Sequence, residues 1–157
     1  MTLALWSIGR TKEAWLREAT ASYAERLPHL LPFEYTEWPG PKLPRRPSAA
    51  QLLNAEADYL LAKLKPADRL YLFDEGGKSF TSRKFAAYLE RLQHQTGARI
   101  VFLIGGAYGF GESLQERAVG SVSLSPMTLS HQLVRVVALE QLYRGMSILR
   151  GLPYHND

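Results

Sequence analysis

The sequence predicts an α/β domain built on a parallel sheet with both faces covered, and three observations lead there. Short apolar runs alternate with amphipathic helical stretches along the whole chain, as helices returning across a parallel sheet require. The 157 residues are 46% hydrophobic, enough for one compact core and no second domain. No internal repeat or low-complexity segment competes with that reading.

The elements follow in order. Leu3 to Ile8 is a first strand. Thr11 to Leu31 reads as a helix, with Trp15, Ala19, Tyr23 and Leu27 forming an inward stripe at four-residue steps. Phe33 to Trp38 alternates with the period of a strand. Four prolines between Pro39 and Pro47 remove backbone donors and exclude regular structure, so this stretch is an exposed loop. Ser48 caps a helix to about Lys65, and Arg69 to Phe73 is a short buried strand followed by a loop from Asp74 to Phe80. Thr81 or Ser82 caps a helix to about Gln95, which Gly97 stops. Ala98 to Ile104 is the most apolar strand, Glu112 to Ala118 a brief helix, Ser121 to Leu124 the last strand, and Ser130 to Leu149 one long helix. That last helix carries too many apolar residues for a single core-facing stripe. Either one face meets a second subunit, placing Arg135 and Arg144 near a two-fold axis, or the helix is buried centrally within its own domain.

Composition excludes several function classes. With zero cysteines there is no disulfide, thiolate metal site or cysteine nucleophile. His29, His94, His131 and His155 show no helical pairing, so no metal is expected. No apolar run reaches the ~18 residues of a membrane span, and the start lacks the charged region of a signal peptide, so the expectation is a cytoplasmic protein. A net charge of +4 favours polyanionic partners. Lys42, Arg45 and Arg46 in the proline-rich loop, with Arg135, Arg144 and Arg150 on the last helix, are the arginine- and lysine-rich places where phosphate could be met.

Two polar turns leave apolar runs near the end of the chain: Ile104-Gly105-Gly106-Ala107-Tyr108-Gly109-Phe110-Gly111 and Leu124-Ser125-Pro126-Met127-Thr128-Leu129-Ser130-His131. Turns at the exits of adjacent parallel strands present backbone N–H and C=O groups to a small molecule. Tight turning explains one or two of the four glycines, and close approach of a ligand accounts for the remainder. Gly76-Gly77-Lys78-Ser79 is not a phosphate-binding loop, because Leu72 stands where that motif needs glycine. The dinucleotide spacing is absent as well, and Ser7-Ile8-Gly9-Arg10-Thr11 offers one glycine only, which leaves an oxidoreductase poorly supported. A non-catalytic ribosome-binding protein fits the charge, yet it leaves the turns and the aromatic tail without a task.

Leu103-Ile104-Gly105-Gly106-x-x-Gly109, Leu124-Ser125-x-Met127-Thr128-Leu129-x-His131-Gln132-Leu133-Val134-Arg135-Val136, Glu140-Gln141-Leu142-Tyr143-Arg144 and the terminal Pro153-Tyr154-His155 together resemble the RlmH family. These are small SPOUT-class methyltransferases acting on a pseudouridine of large-subunit ribosomal RNA. The similarity extends over essentially the whole chain, including the opening strand and the Phe73-Asp74-x-x-Gly77-Lys78 loop. The resemblance implies S-adenosyl-L-methionine as cofactor, a homodimer, ribosomal RNA in the large subunit or whole ribosome as partner, and a SPOUT fold whose C-terminal trefoil knot spans about residues 70–157. It implies a cofactor pocket made by Phe73, where leucine is common in the family, with Gly105, Leu124, Ser125, Pro126, Met127, Thr128 and Leu129. Pro126 varies among relatives, so its contact is expected through backbone. Valine at Gly105 is expected to fill the site.

The chemistry agrees with that assignment. Methyl transfer from a sulfonium needs little covalent help, and alignment of the nucleophile can supply up to about 7–11 kcal/mol. The family's target, N3 of pseudouridine, is an imide nitrogen that must lose its proton, so a base or an anion-stabilising partner is expected. His155 is the first candidate, since imidazole titrates near neutrality and a short tail can fold over a pocket; a disordered terminus is the alternative. Arg144 pairs with the developing anion or a phosphate, or is an ordinary helix arginine. Tyr154 is a candidate to stack on the base. His131 follows the Ser130 cap and reads as completing the helix start.

Overall fold

The computed structural model describes residues 2–95 and 97–157. Five strands, β1 (Leu3–Ile8), β2 (Phe33–Trp38), β3 (Arg69–Ser79), β4 (Ile100–Ile104) and β5 (Gly120–Ser123), form one sheet in the order β2-β1-β4-β3-β5. Every pairing is parallel. The helices are α1 (Ala14–Arg26), α2 (Ala49–Leu61), α3 (Ser82–Gln95), α4 (Glu112–Arg117) and α5 (Leu133–Leu149), with a 3-10 turn at Leu27–His29.

Strand alternation divides the core in two. Leu3, Leu5, Tyr71, Phe73, Ile100 and Phe102 face the layer containing Phe85, Leu89, Leu139, Leu142 and Met146 of α3 and α5. Ala4, Trp6, Leu70, Leu72, Val101 and Leu103 face the layer containing Ala57, Leu60 and Leu114 of α2 and α4. A sheet covered on both faces keeps its central strands apolar throughout, which is why all five residues of β4 are buried.

Three expectations are corrected. β3 does not end at Phe73. It bulges at 74–77 and resumes, so that both Phe73 and Lys78 register with Val122 of β5. Gly77 permits this: a Cβ there would lie 2.7 Å from the Val122 backbone nitrogen. The inward stripe of α1 is Leu16 and Thr20, continued by Leu27 of the 3-10 turn, with Tyr23 half-buried, while Trp15 is 61% exposed. Each four-residue step turns a helix about 40° past a full circle, so residues 15 and 27 cannot share one face. Finally, Arg135 is 1% exposed and belongs to the interior, not to a surface where phosphate could be met.

The caps expected at Ser48 and Thr81 are present, whereas α5 begins three residues later than expected, with Gln132 and not Ser130 at its N-cap. Ser48 and Gln51 form a reciprocal capping box at α2, the Thr81 hydroxyl accepts from the Lys84 N–H at α3, and the Ser130 hydroxyl accepts from the Leu133 N–H ahead of α5. α5 lies against α1 and α3, burying Ala138, Leu139, Leu142, Gly145 and Met146. Gly145 lets α3 approach, since a Cβ there would stand 2.9 Å from a Leu89 methyl carbon. Leu133 remains exposed at the start of α5, and Val136 and Val137 are half-buried. No described helix is long and apolar enough to cross a membrane.

Candidate functional site

The carboxyl ends of β4 and β5 and the bulge of β3, adjacent in the sheet, open into a cavity of about 360 Å³. Its size lies within the range of small-molecule sites. Phe73, where β3 enters its bulge, and Ile104, at the end of β4, form the floor, the turn from Gly105 to Phe110 forms one wall, and the turn from Leu124 to His131 forms the other. Of the eight residues expected to hold a cofactor, Phe73, Gly105, Leu124, Ser125, Met127, Thr128 and Leu129 line this cavity. Pro126 is exposed and is not among the lining residues.

One glycine of this segment, Gly109, has the expected cause, and two have a different one. A Cβ on Gly105 would lie 2.9 Å from the Gly109 carbonyl oxygen, and one on Gly111 2.9 Å from the Leu53 carbonyl oxygen. Gly109 sits at φ +81°, a conformation costly for other residues. Close packing of the turn on itself and on α2 explains Gly105 and Gly111, and tight turning explains Gly109, so three of the four are accounted for without a ligand. A valine at Gly105 would force the turn open.

The second wall is held by its own side chains. The Ser123 hydroxyl donates to the Ser125 carbonyl at 2.9 Å, and the Ser125 hydroxyl accepts from the Met127 N–H at 3.0 Å. Thr128 reaches across the opening, donating to Glu75 Oε2 at 2.7 Å, and so joins this wall to the β3 bulge. The lower end is anchored by Arg135, whose Nε donates to the His131 carbonyl at 3.0 Å. The same guanidinium donates to the Gly9 and Ile8 carbonyls, each at 2.8 Å, and to Glu37 Oε2 at 3.1 Å. Glu37 also accepts from Thr11 and Tyr35. Burial alone would raise the Glu37 carboxyl, but the Thr11 and Tyr35 hydrogen bonds and the Arg135 charge together hold it below its ordinary value. With its donors committed to this network, Arg135 is not available to phosphate.

Sequence reasoning did not assign Asp74 and Glu75 to the pocket and read His131, at the end of the second turn, as completing the helix start, yet all three line it. The Phe73-Asp74-x-x-Gly77-Lys78 motif was the available signal for the first of them. Among the described lining residues there is no lysine or arginine. His131 is held below the ordinary imidazole range by burial and then by the charges of Arg135 and Lys12, so it adds little positive charge near neutral pH.

The three catalytic candidates form a separate cluster, outside the lining of this cavity. The Arg144 Nε donates to Glu140 Oε1 at 3.0 Å, its Nη1 lies 3.2 Å from His155 Nδ1, and its guanidinium covers the Tyr154 ring at 4.7 Å. The Tyr154 hydroxyl donates to Glu140 Oε1 at 3.2 Å and lies 3.2 Å from the Tyr23 hydroxyl. Burial, the Tyr23 hydrogen bond and the Glu140 charge all push the Tyr154 phenol above its ordinary value. His155 Nε2 faces Asp157, which pairs with Arg83. The tail is thus ordered against α5, α1 and α3. Among the described residues no group of three or more His, Asp or Glu side chains is placed to hold a metal ion.

The comparisons agree with this architecture. The model of a family described as a predicted SPOUT methyltransferase matches residues 1–155. A protein of Cytophaga hutchinsonii named ribosomal RNA large subunit methyltransferase H is 46% identical over 99% of this chain and all of its own length. The proteins of that name from Parabacteroides distasonis and a Geobacter species are 43% and 40% identical, with both chains covered in full. A solved structure described as a hypothetical protein shares the fold, with a TM-score of 0.53 at 16% identity over 95% of this chain and 68% of its own. The chain belongs to the SPOUT methyltransferase family, among the relatives named ribosomal RNA large subunit methyltransferase H.

Proposed function

We infer that this methyltransferase uses S-adenosyl-L-methionine to methylate N3 of a pseudouridine in 23S ribosomal RNA, acting in the cytoplasm on the assembled ribosome. The observation that carries the cofactor is the pocket itself: apolar at Phe73, Ile104, Leu124, Leu129 and Val134, walled by two turns rich in backbone donors and acceptors, and free of lysine and arginine among its described lining residues. A phosphate-bearing cofactor would be poorly matched to that lining, whereas an adenosyl group with a cationic sulfur suits it. The bound cofactor supplies an electrophilic methyl group. The chain supplies position and dryness: Phe73 and Leu129 line the pocket with apolar surface, and the network through Arg135 holds the second wall in place.

The substrate follows from the relatives' names, and the chain's net charge of +4 agrees with a nucleic-acid partner. Tyr154, His155 and Arg144 are the groups we assign to the target base and its proton, although they do not line their own chain's pocket. A homodimer reconciles the two, because a two-fold axis beside α5 lets the tail of each copy close the other's pocket. Exposed Leu133 and Trp15 supply apolar surface for that contact. The trefoil knot over about residues 70–157 belongs to the same reading, supported by β5 at the sheet edge and the return of α5 against both α1 and α3.

The test is to incubate the full-length protein and adenosylmethionine with free ribosomal RNA, large subunits or assembled ribosomes from cells lacking the enzyme. Nucleoside mass spectrometry should find N3-methylpseudouridine in large-subunit RNA, with the greatest yield from ribosomes. Absence of that nucleoside on all three substrates overturns the proposal.

A further inference from the structure

The pocket carries a charge pattern opposite to that of the chain around it. The chain has 19 lysines and arginines against 15 acidic residues, yet the carboxylates of Asp74 and Glu75 are the acidic groups of the lining and no basic residue other than His131 joins them. Neither carboxylate forms an ion pair with a lysine or arginine among the described residues. Glu75 is held in place by the Thr128 hydroxyl at 2.7 Å, which fixes its charge on the cofactor-side rim. The β3 bulge, possible because Gly77 lets the backbones of β3 and β5 meet, brings both carboxylates to this rim.

The methyl donor and its product differ in one respect that such a rim can read. Transfer forms the bond from the nitrogen lone pair to the methyl carbon and breaks the carbon–sulfur bond, whose electron pair stays on sulfur; the proton of the imide passes to a base. A sulfonium of charge +1 thereby becomes a neutral thioether, while the ammonium and carboxylate of the methionine part are unchanged.

We propose that Asp74 and Glu75 make the pocket selective for charge, so that it holds the sulfonium donor more tightly than the thioether product and releases that product once transfer is done. The inference rests on the reading of the pocket as an adenosylmethionine site. Both carboxylates are exposed before a ligand arrives, so solvent screens them and each contributes about a fivefold preference, falling as salt rises.

Calorimetry on the full-length protein tests this with S-adenosylmethionine, S-adenosylhomocysteine and sinefungin, in which a protonated amine replaces the sulfonium. Glu75→Gln keeps an oxygen for Thr128 and removes only the charge; Asp74→Asn does the same at its position. Each variant is expected to bind adenosylmethionine and sinefungin about fivefold more weakly, and the pair about 25-fold more weakly, while adenosylhomocysteine binding stays within about twofold of wild type. Retained adenosylhomocysteine binding also shows that the variants fold. Equal loss for all three ligands, or no loss for any, overturns the charge selectivity and leaves the cofactor assignment standing. A wild-type protein that binds none of the three overturns the cofactor assignment, and this inference with it.

Discussion

Gly105 is constrained by its own turn. The Gly109 carbonyl oxygen and the Phe110 ring occupy the space where its side chain would begin, at 2.9 and 3.1 Å. Gly105→Ala is therefore expected to shift one wall of the pocket, at a cost of about 1–3 kcal/mol typical of overpacking, and to weaken adenosylmethionine binding by tenfold or more. Calorimetry on the folded variant checks this, and unchanged affinity would mean that the turn absorbs the methyl group without moving the wall. Arg135 shows the opposite limit of legibility. It reads in the sequence as one of the basic residues of the last helix where phosphate could be met, and in the fold it is a buried cation whose partners, apart from the His131 carbonyl, lie more than 90 residues away, on β1, at Gly9 just after it and on β2. Such pairing has no local signature, because its cost and its compensation come from groups distant in the chain.

Elements differ in how far their residues announce them. β1, β2 and β4 were legible because a buried strand needs an unbroken or alternating apolar run, and Leu3 to Ile8, Phe33 to Trp38 and Ile100 to Ile104 supply one. The end of β3 was not, because Asp74-Glu75-Gly76-Gly77-Lys78 has the composition of a loop and becomes sheet only through Val122 of β5. Gly77→Ala is expected to break that registration, since the new carbon would lie 2.7 Å from the Val122 nitrogen and 2.8 Å from the Ser121 carbonyl carbon. The cost should be about 1–3 kcal/mol, read as a lower midpoint in urea unfolding. Faster hydrogen exchange at Lys78 and Ser79 than at β4 would localise the damage. An unchanged midpoint would show that the bulge accommodates a side chain.

Across the molecule, ion pairs tie the sheet edges to its interior. Asp68 accepts from Arg99 Nη2 at 2.6 Å and Nε at 3.2 Å, and from the Lys65 N–H at 2.8 Å; Arg99 also reaches Glu34 at 2.9 Å. Burial raises the Asp68 carboxyl, but the Arg99 hydrogen bonds, the Lys65 N–H and their charges outweigh it and leave the group below its ordinary value. Glu37 is lowered in the same sense by Thr11, Tyr35 and Arg135. A carboxylate depressed on folding stabilises above its unfolded pKa, near 4, and that contribution is lost as pH falls through the folded value. Thermal midpoints should therefore be flat from pH 7 to about 5 and fall below about 4. Asp68→Asn should cost about 1–3 kcal/mol at pH 7 and show a shallower fall in acid. An acid slope identical to wild type would remove Asp68 from this account.

Local chemistry settled much of what this chain is. Apolar periodicity marked most elements, prolines excluded structure from 39 to 47, caps at Ser48 and Thr81 started their helices, and two ordered turns carried the resemblance that the family match bears out. These signals lie within a few residues of one another, so they survive in the linear sequence. The strand order, the carboxylates brought to the pocket rim by the β3 bulge, the buried Arg135 network and the separation of Tyr154 and His155 from the pocket came only with the tertiary structure. Each depends on which distant backbone comes to lie alongside, and that is decided by burial of the whole sheet rather than by any one segment of it.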